Sequence, residues 1–169
     1  MNRILLLLIF LCIAFIVRAA DANPRELFGL YPAAPTDKDG ARAFSVQGAL
    51  DGEDYPGFYR EPAVLTLSHI AKVSTGYPEA GTIPFPALFL SFTNEGFKRL
   101  RDHLKLAEPS DLVVVIDGRA YATLPPRVIR DILDRRVDLR LLIRSALDNK
   151  DELDLLRKKL IAAKAPKKQ

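Results

Sequence analysis

The chain has 169 residues, with 25 Lys and Arg against 21 Asp and Glu and a formal net charge of +4. So modest a balance argues against a nucleic-acid-binding protein, which concentrates positive charge on one surface. Cys12 is the only cysteine, which excludes an intrachain disulfide and a cysteine-based metal centre, so the fold must rest on its apolar core.

Asn2-Arg3 lead into fourteen apolar residues, Ile4 to Val17, before Arg18 ends the run. As a helix this run would be about 21 Å long, short of the ~30 Å hydrocarbon core of a bilayer. A signal peptide over residues 1–22 is therefore expected. Ala20-Asp21-Ala22 fits the small-x-small pattern of a cleavage site and puts the cut between Ala22 and Asn23. Val17-Arg18-Ala19 is a weaker alternative site, and an uncleaved, tilted N-terminal anchor is the competing reading. Lipidation at Cys12 is disfavoured because Leu11 stands where a small residue is required. On the signal-peptide reading the mature chain is exported, periplasmic, free of cysteine, and without a later apolar stretch long enough to span.

Residues 23–60 are rich in Pro, Gly, Ala and Asp, with Pro24, Pro32, Pro35 and Pro56 spread through them. They read as an N-terminal extension that packs over the main fold through Leu27, Phe28, Tyr31, Phe44, Tyr55, Phe58 and Tyr59, or offers those aromatics to a partner. Ala43 to Leu50 is the one short strand expected there. The domain proper, residues 61–163, opens with a strand at Ala63 to Ile70, a loop at Ser74 to Pro84 and a strand at Phe85 to Phe92. Thr93-Asn94 then cap a helix from Glu95 to Ala107, with Phe97, Leu100, Leu104 and Ala107 on one stripe. Leu112 to Ile116, nearly all β-branched, predicts a strand buried on both faces. Asp117-Gly118 supplies a hairpin turn into a strand at Arg119 to Thr123.

Pro125-Pro126 open a helix to Arg136 that carries Val128, Ile129, Ile132 and Leu133. Leu139 to Ile143 is the last strand. A closing helix has Asn149 as its cap, Glu152 at the reciprocal capping-box position, and Leu153, Leu156, Leu160 and Ala163 as its apolar stripe. Residues 164–169 read as a basic tail. Phe85 to Ala146 thus runs strand, helix, strand, strand, helix, strand. The fold class expected is α+β: a ferredoxin-like split βαβ core (βαββαβ) with an extra N-terminal strand and a C-terminal helix.

The succession FLSFTNEGFKRL, LVVVIDGRAYATLPPRVI and LLIRSALDNKDELDLLRKKL resembles the periplasmic head subdomain of SecD and SecDF, accessory proteins of bacterial protein export. The elements that match are Phe92 to Gly96, Leu112 to Gly118, Ala122 to Ile129 and Asp148 to Leu160, within a resemblance covering Glu61 to Ala163. It implies a non-enzymatic domain outside the inner membrane that meets polypeptides or envelope proteins. It does not extend to the transmembrane motor of that family. Where the family has a Gly-Gly turn after the second helix, this chain has Arg135-Arg136, which puts in question any behaviour that needs a permissive backbone there.

Motifs that carry chemistry are few. Gly76 and Gly81 have P-loop spacing but are followed by Thr82-Ile83 rather than Lys and a hydroxyl residue. His69 and His103 are the only histidines and read as structural, without metal-ligand spacing. Asp51, Glu53 and Asp54 lack the spacing of a calcium loop and read as a solvated turn. Asp148, Asp151, Glu152 and Asp154 complement a helix N-terminus, and Asp117 is a turn residue. Neither a catalytic residue nor a cofactor or metal is assigned.

Arg157, Lys158, Lys159, Lys164, Lys167 and Lys168 read as helix C-terminal charge and tail, with weak contact to anionic headgroups as their further use. The sequence thus points to a secreted, non-enzymatic accessory domain binding polypeptides or partner proteins. A structural subunit of a stable envelope complex is the alternative, and an enzyme of unknown class is a more remote one.

Overall fold

The computed structural model describes residues 27–37, 40–47, 53–76, 86–143 and 150–165. The signal-peptide segment with its Ala22–Asn23 junction, Asp51, Phe85, Asp148, Asn149, Lys167 and Lys168 lie outside these residues. The described chain begins with β1 (Phe28–Ala34), β2 (Arg42–Gln47), β3 (Asp54–Tyr59) and β4 (Leu65–Thr66), then a 3₁₀ turn at Leu67–His69. It continues through β5 (Ile70–Gly76), β6 (Ala87–Phe92), α1 (Asn94–Leu104), β7 (Leu112–Ile116) and β8 (Arg119–Leu124). It closes with α2 (Pro126–Arg135), β9 (Leu139–Leu142) and α3 (Lys150–Lys164).

The architecture is mixed α+β, and every strand pairing described is antiparallel. β6, α1, β7, β8, α2 and β9 run in the expected βαββαβ order, with β5 as the additional strand and α3 as the additional helix. The strands of that order are shared between two sheets. One sheet runs β2-β3-β1-β7-β8 with β4 also on β1, and the other runs β5-β6-β9. Because β5 and β9 occupy both edges of β6, no edge of β6 is left to join the β7–β8 hairpin.

β7 shows why its sequence is apolar at every position. All five of its residues are buried. Leu112, Val114 and Ile116 enter the main core, while Val113 and Val115 enter a second cluster with Tyr31, Tyr59 and Ala120. A strand with a core on each side has no place for the polar half of an alternating pattern. The main core also takes Leu88, Leu90 and Phe92 of β6, Leu100 of α1, Ile129 and Ile132 of α2, and Leu153, Leu156 and Leu160 of α3. Each such leucine stabilises the fold by roughly 1.5–3 kcal/mol relative to exposure. Ala107 and Ala163, expected on the apolar stripes, are exposed.

Two sequence expectations are corrected. Phe28–Ala34, expected within an extension lying over the domain, form β1 inside the main sheet, with Leu30 opposite Val114 and Tyr31 opposite Val113. Pro32 obscured this strand, yet it is tolerated. β1 pairs with β4 at Gly29 and Leu30 and with β3 at Ala33 and Ala34, and Pro32 occupies the gap between those ladders. Its carbonyl faces that edge and accepts from Arg60 N at 2.9 Å, so the N–H that proline lacks falls where no ladder needs it.

The second correction concerns Ala63 to Ile70. Only Leu65–Thr66 is strand there, and the continuous strand comes later, at Ile70–Gly76, partly where a loop was expected. The backbone N–H of Thr66 donates to His69 Nδ1 at 3.1 Å. That local bond favours a turn over a ladder.

Candidate functional site

Asp117 and Gly118 have φ of 52° and 77°, the two left-handed residues of a tight hairpin turn between β7 and β8. The turn brings the hairpin tip against α3. Lys159 Nζ donates to Asp117 Oδ2 at 2.5 Å, and Arg119 donates to Glu152 Oε1 at 3.4 Å. Between Val114 and Val115 the register shifts from Ala122 to Ala120, a bulge that leaves Tyr121 as the extra residue, packed with Ala122 against the main core. There the Arg119 guanidinium lies 5.4 Å from the Tyr121 ring centroid. Burial pushes the Tyr121 phenol above its ordinary pKa, with Arg119 pulling the other way. The cluster is a clamp of opposed charges, Lys159 with Asp117 and Arg119 with Glu152.

The remaining candidates also hold structure. His103 Nε2 donates to the Ser110 carbonyl at 2.8 Å, tying the end of α1 to the approach of β7. His69 receives the Thr66 N–H, and its own carbonyl accepts from Thr93 N at 2.9 Å. Thr93 Oγ1 in turn accepts from Gly96 N at 3.1 Å, capping α1. Glu53 and Asp54 lie at the start of β3, exposed. Asp151, Glu152 and Asp154 occupy the first turns of α3 and line, with Leu155 and Lys158, an open hollow of about 340 Å³. Among the described residues no three His, Cys, Asp or Glu side chains converge on a point that would hold a metal. Lys164 ends α3 and donates to the carbonyls of Ile70 and Ala71, so it belongs to the folded domain rather than to a tail.

Sequence reasoning did not single out the outward face of the smaller sheet. In β5, β6 and β9, Leu88, Leu90, Val73, Leu139 and Leu141 point into the main core. The alternate positions form the other face: Lys72, Ser74 and Gly76 on β5, Ala87, Phe89 and Ser91 on β6, Arg140 and Leu142 on β9, with Ala87 fully buried and the exposure at Lys72 and Arg140. Phe89 stands directly opposite Arg140, and the guanidinium lies 5.6 Å from the ring centroid. Lys72 pairs with Ser91 on the far side, so a cation flanks Phe89 on each neighbouring strand. Neither Lys72 nor Arg140 has an acidic partner among the described residues, whereas Arg42, Lys105, Arg119 and Lys159 each have one. The signal in the sequence was the period of two: Phe89 and Arg140 both fall on the polar phase of strands whose other phase is leucine.

The chain is similar to a solved structure of SecDF. That structure is of SecDF as a membrane component that enhances protein export; the identity is 21% and the TM-score 0.42, over 57% of this chain and 41% of that one. The chain therefore spans less than half the length of the SecDF chain. No family model matches the chain, and no curated protein matches it. Among the described residues, no helix is long and apolar enough to cross a membrane.

Proposed function

We propose that the chain is a secreted, non-enzymatic accessory domain of the cell envelope that binds extended polypeptides or partner proteins, in the manner its sequence resemblance to the SecD head implies. The observation that carries this reading is the edge at β9. Among the described residues no strand pairs with β9 on the side away from β6, so one row of its backbone N–H and C=O groups faces away from β6. An extended chain recognises such a row by adding a strand. His69, His103 and Asp117 are engaged in a turn, a loop tie and an ion pair. Export rests on the leader pattern of residues 1–22, with cleavage after Ala22 as its consequence.

The alternative, a structural subunit gripped through the aromatics of residues 23–60, loses much of its surface. Phe28, Tyr31 and Tyr59 are buried, which leaves Tyr55 as the prominent exposed aromatic of that region.

Photo-crosslinking in the envelope tests the proposal. A crosslinking residue at Leu142 should trap polypeptides, and one at Thr123 on β8 should trap fewer. Recovery of only uncrosslinked protein from both positions, with the protein exported and folded, would count decisively against it.

A further inference from the structure

We infer that the outward face of the β5-β6-β9 sheet is the docking surface, and that its occupant is an extended polypeptide segment carrying acidic side chains beside an apolar one. The inference rests on the polypeptide-binding reading and adds to it a place and a chemistry.

Three observations select this occupant. Lys72 and Arg140 are exposed and lack acidic partners among the described residues, and no acidic residue occupies the outward positions of the three strands. Among the described residues the face therefore carries positive charge without an acidic counterpart, which an acidic segment complements. Phe89 lies between the two cations, half-buried, with Arg140 stacked on its ring. The stack fixes the guanidinium in place before a ligand arrives, so less side-chain freedom is lost on binding. Finally, the face borders the β9 edge, and a strand added there would bring alternate side chains past Arg140, with Phe89 one strand and Lys72 two strands further in. Lipid headgroups would meet the same charges but would make no use of a strand edge.

The test uses the purified protein and three probes: a fluorescent twelve-residue peptide alternating Glu with Phe and Ser, the same peptide with Lys for Glu, and phosphatidylglycerol vesicles. The acidic peptide should bind, the Lys peptide should not, and raising the salt should weaken binding. Arg140→Glu should weaken binding by about tenfold or more and Lys72→Glu, two strands further from the added segment, by less, while Arg127→Glu, on the exposed side of α2, should leave it unchanged. Circular dichroism and the melting temperature check that each variant folds.

Equal binding of both peptides overturns the acidic specificity. Unchanged binding in the folded Arg140→Glu and Lys72→Glu variants overturns the site while leaving polypeptide binding intact. Vesicle binding that these variants abolish, without peptide binding, overturns the polypeptide occupant in favour of a membrane. If no probe binds, the docking proposal fails, and adducts from Leu142 in the envelope then decide separately whether polypeptide binding survives.

Discussion

The carbonyl oxygen of His69 lies 2.8 Å from where a Cβ at Gly96 would stand. The 3₁₀ turn at Leu67–His69 and the first turn of α1 are thus in backbone contact, and Thr93 bridges them, donating its N–H to His69 and capping Gly96. Thr93 and Gly96 make the start of α1 a packing device. Gly96→Ala should therefore destabilise the fold by about 1–3 kcal/mol, because a backbone atom cannot move aside as a side chain would. Urea denaturation measures it, and a change below about 0.5 kcal/mol would contradict the close approach.

The hairpin clamp makes a weaker prediction. Asp117 and Lys159 are each nearly half exposed, so screening limits their pairing to about 0.2–1 kcal/mol. A double-mutant cycle with Asp117→Asn and Lys159→Met should return a coupling in that range that shrinks in 1 M salt. Asparagine is the appropriate partner because it tolerates the left-handed φ of 52° at this position.

Arg136 occupies the left-handed region with φ of 51° and lies with its guanidinium 6.0 Å from the Phe97 ring centroid. An arginine here fulfils the backbone role that glycine usually takes at the end of a helix. Arg136→Gly should be more stable than Arg136→Ala by about 1 kcal/mol, since both lose the stack and alanine alone keeps the strain. Equal melting temperatures for the two variants would contradict this account.

Tyr121 is held neutral by burial, and its pKa is raised. A folded-state pKa above the unfolded value means that the contribution to stability is complete below about pH 10 and is lost as the pH rises through the folded value. Absorbance titration of tyrosinate should show a late component that disappears in Tyr121→Phe, and that variant should lose less stability than the parent in strong alkali.

The local elements were legible where one physical signal dominated. Leu112 to Ile116 announced a strand with a core on each face, Asp117-Gly118 a tight hairpin, Thr93 a helix cap, and Leu153, Leu156 and Leu160 a buried stripe. The assembly was less legible. Pro32 disguised β1 because its tolerance depends on a gap between β3 and β4, a feature of pairing that no local pattern contains. The turn at His69 displaced a strand because one side-chain bond outweighed alternation. The charge pairs Asp117–Lys159 and Arg119–Glu152 join residues 42 and 33 positions apart. The Arg140–Phe89 stack likewise follows from strand register, so the candidate surface emerged only with the fold.

Backbone amide exchange in β9 tests the central claim most directly. Binding of the acidic peptide by strand addition should slow exchange at those amides of Arg140, Leu141 and Leu142 that face away from β6, and leave α2 unchanged. If the peptide binds while exchange throughout β9 stays as it was in the free protein, recognition at this edge is contradicted.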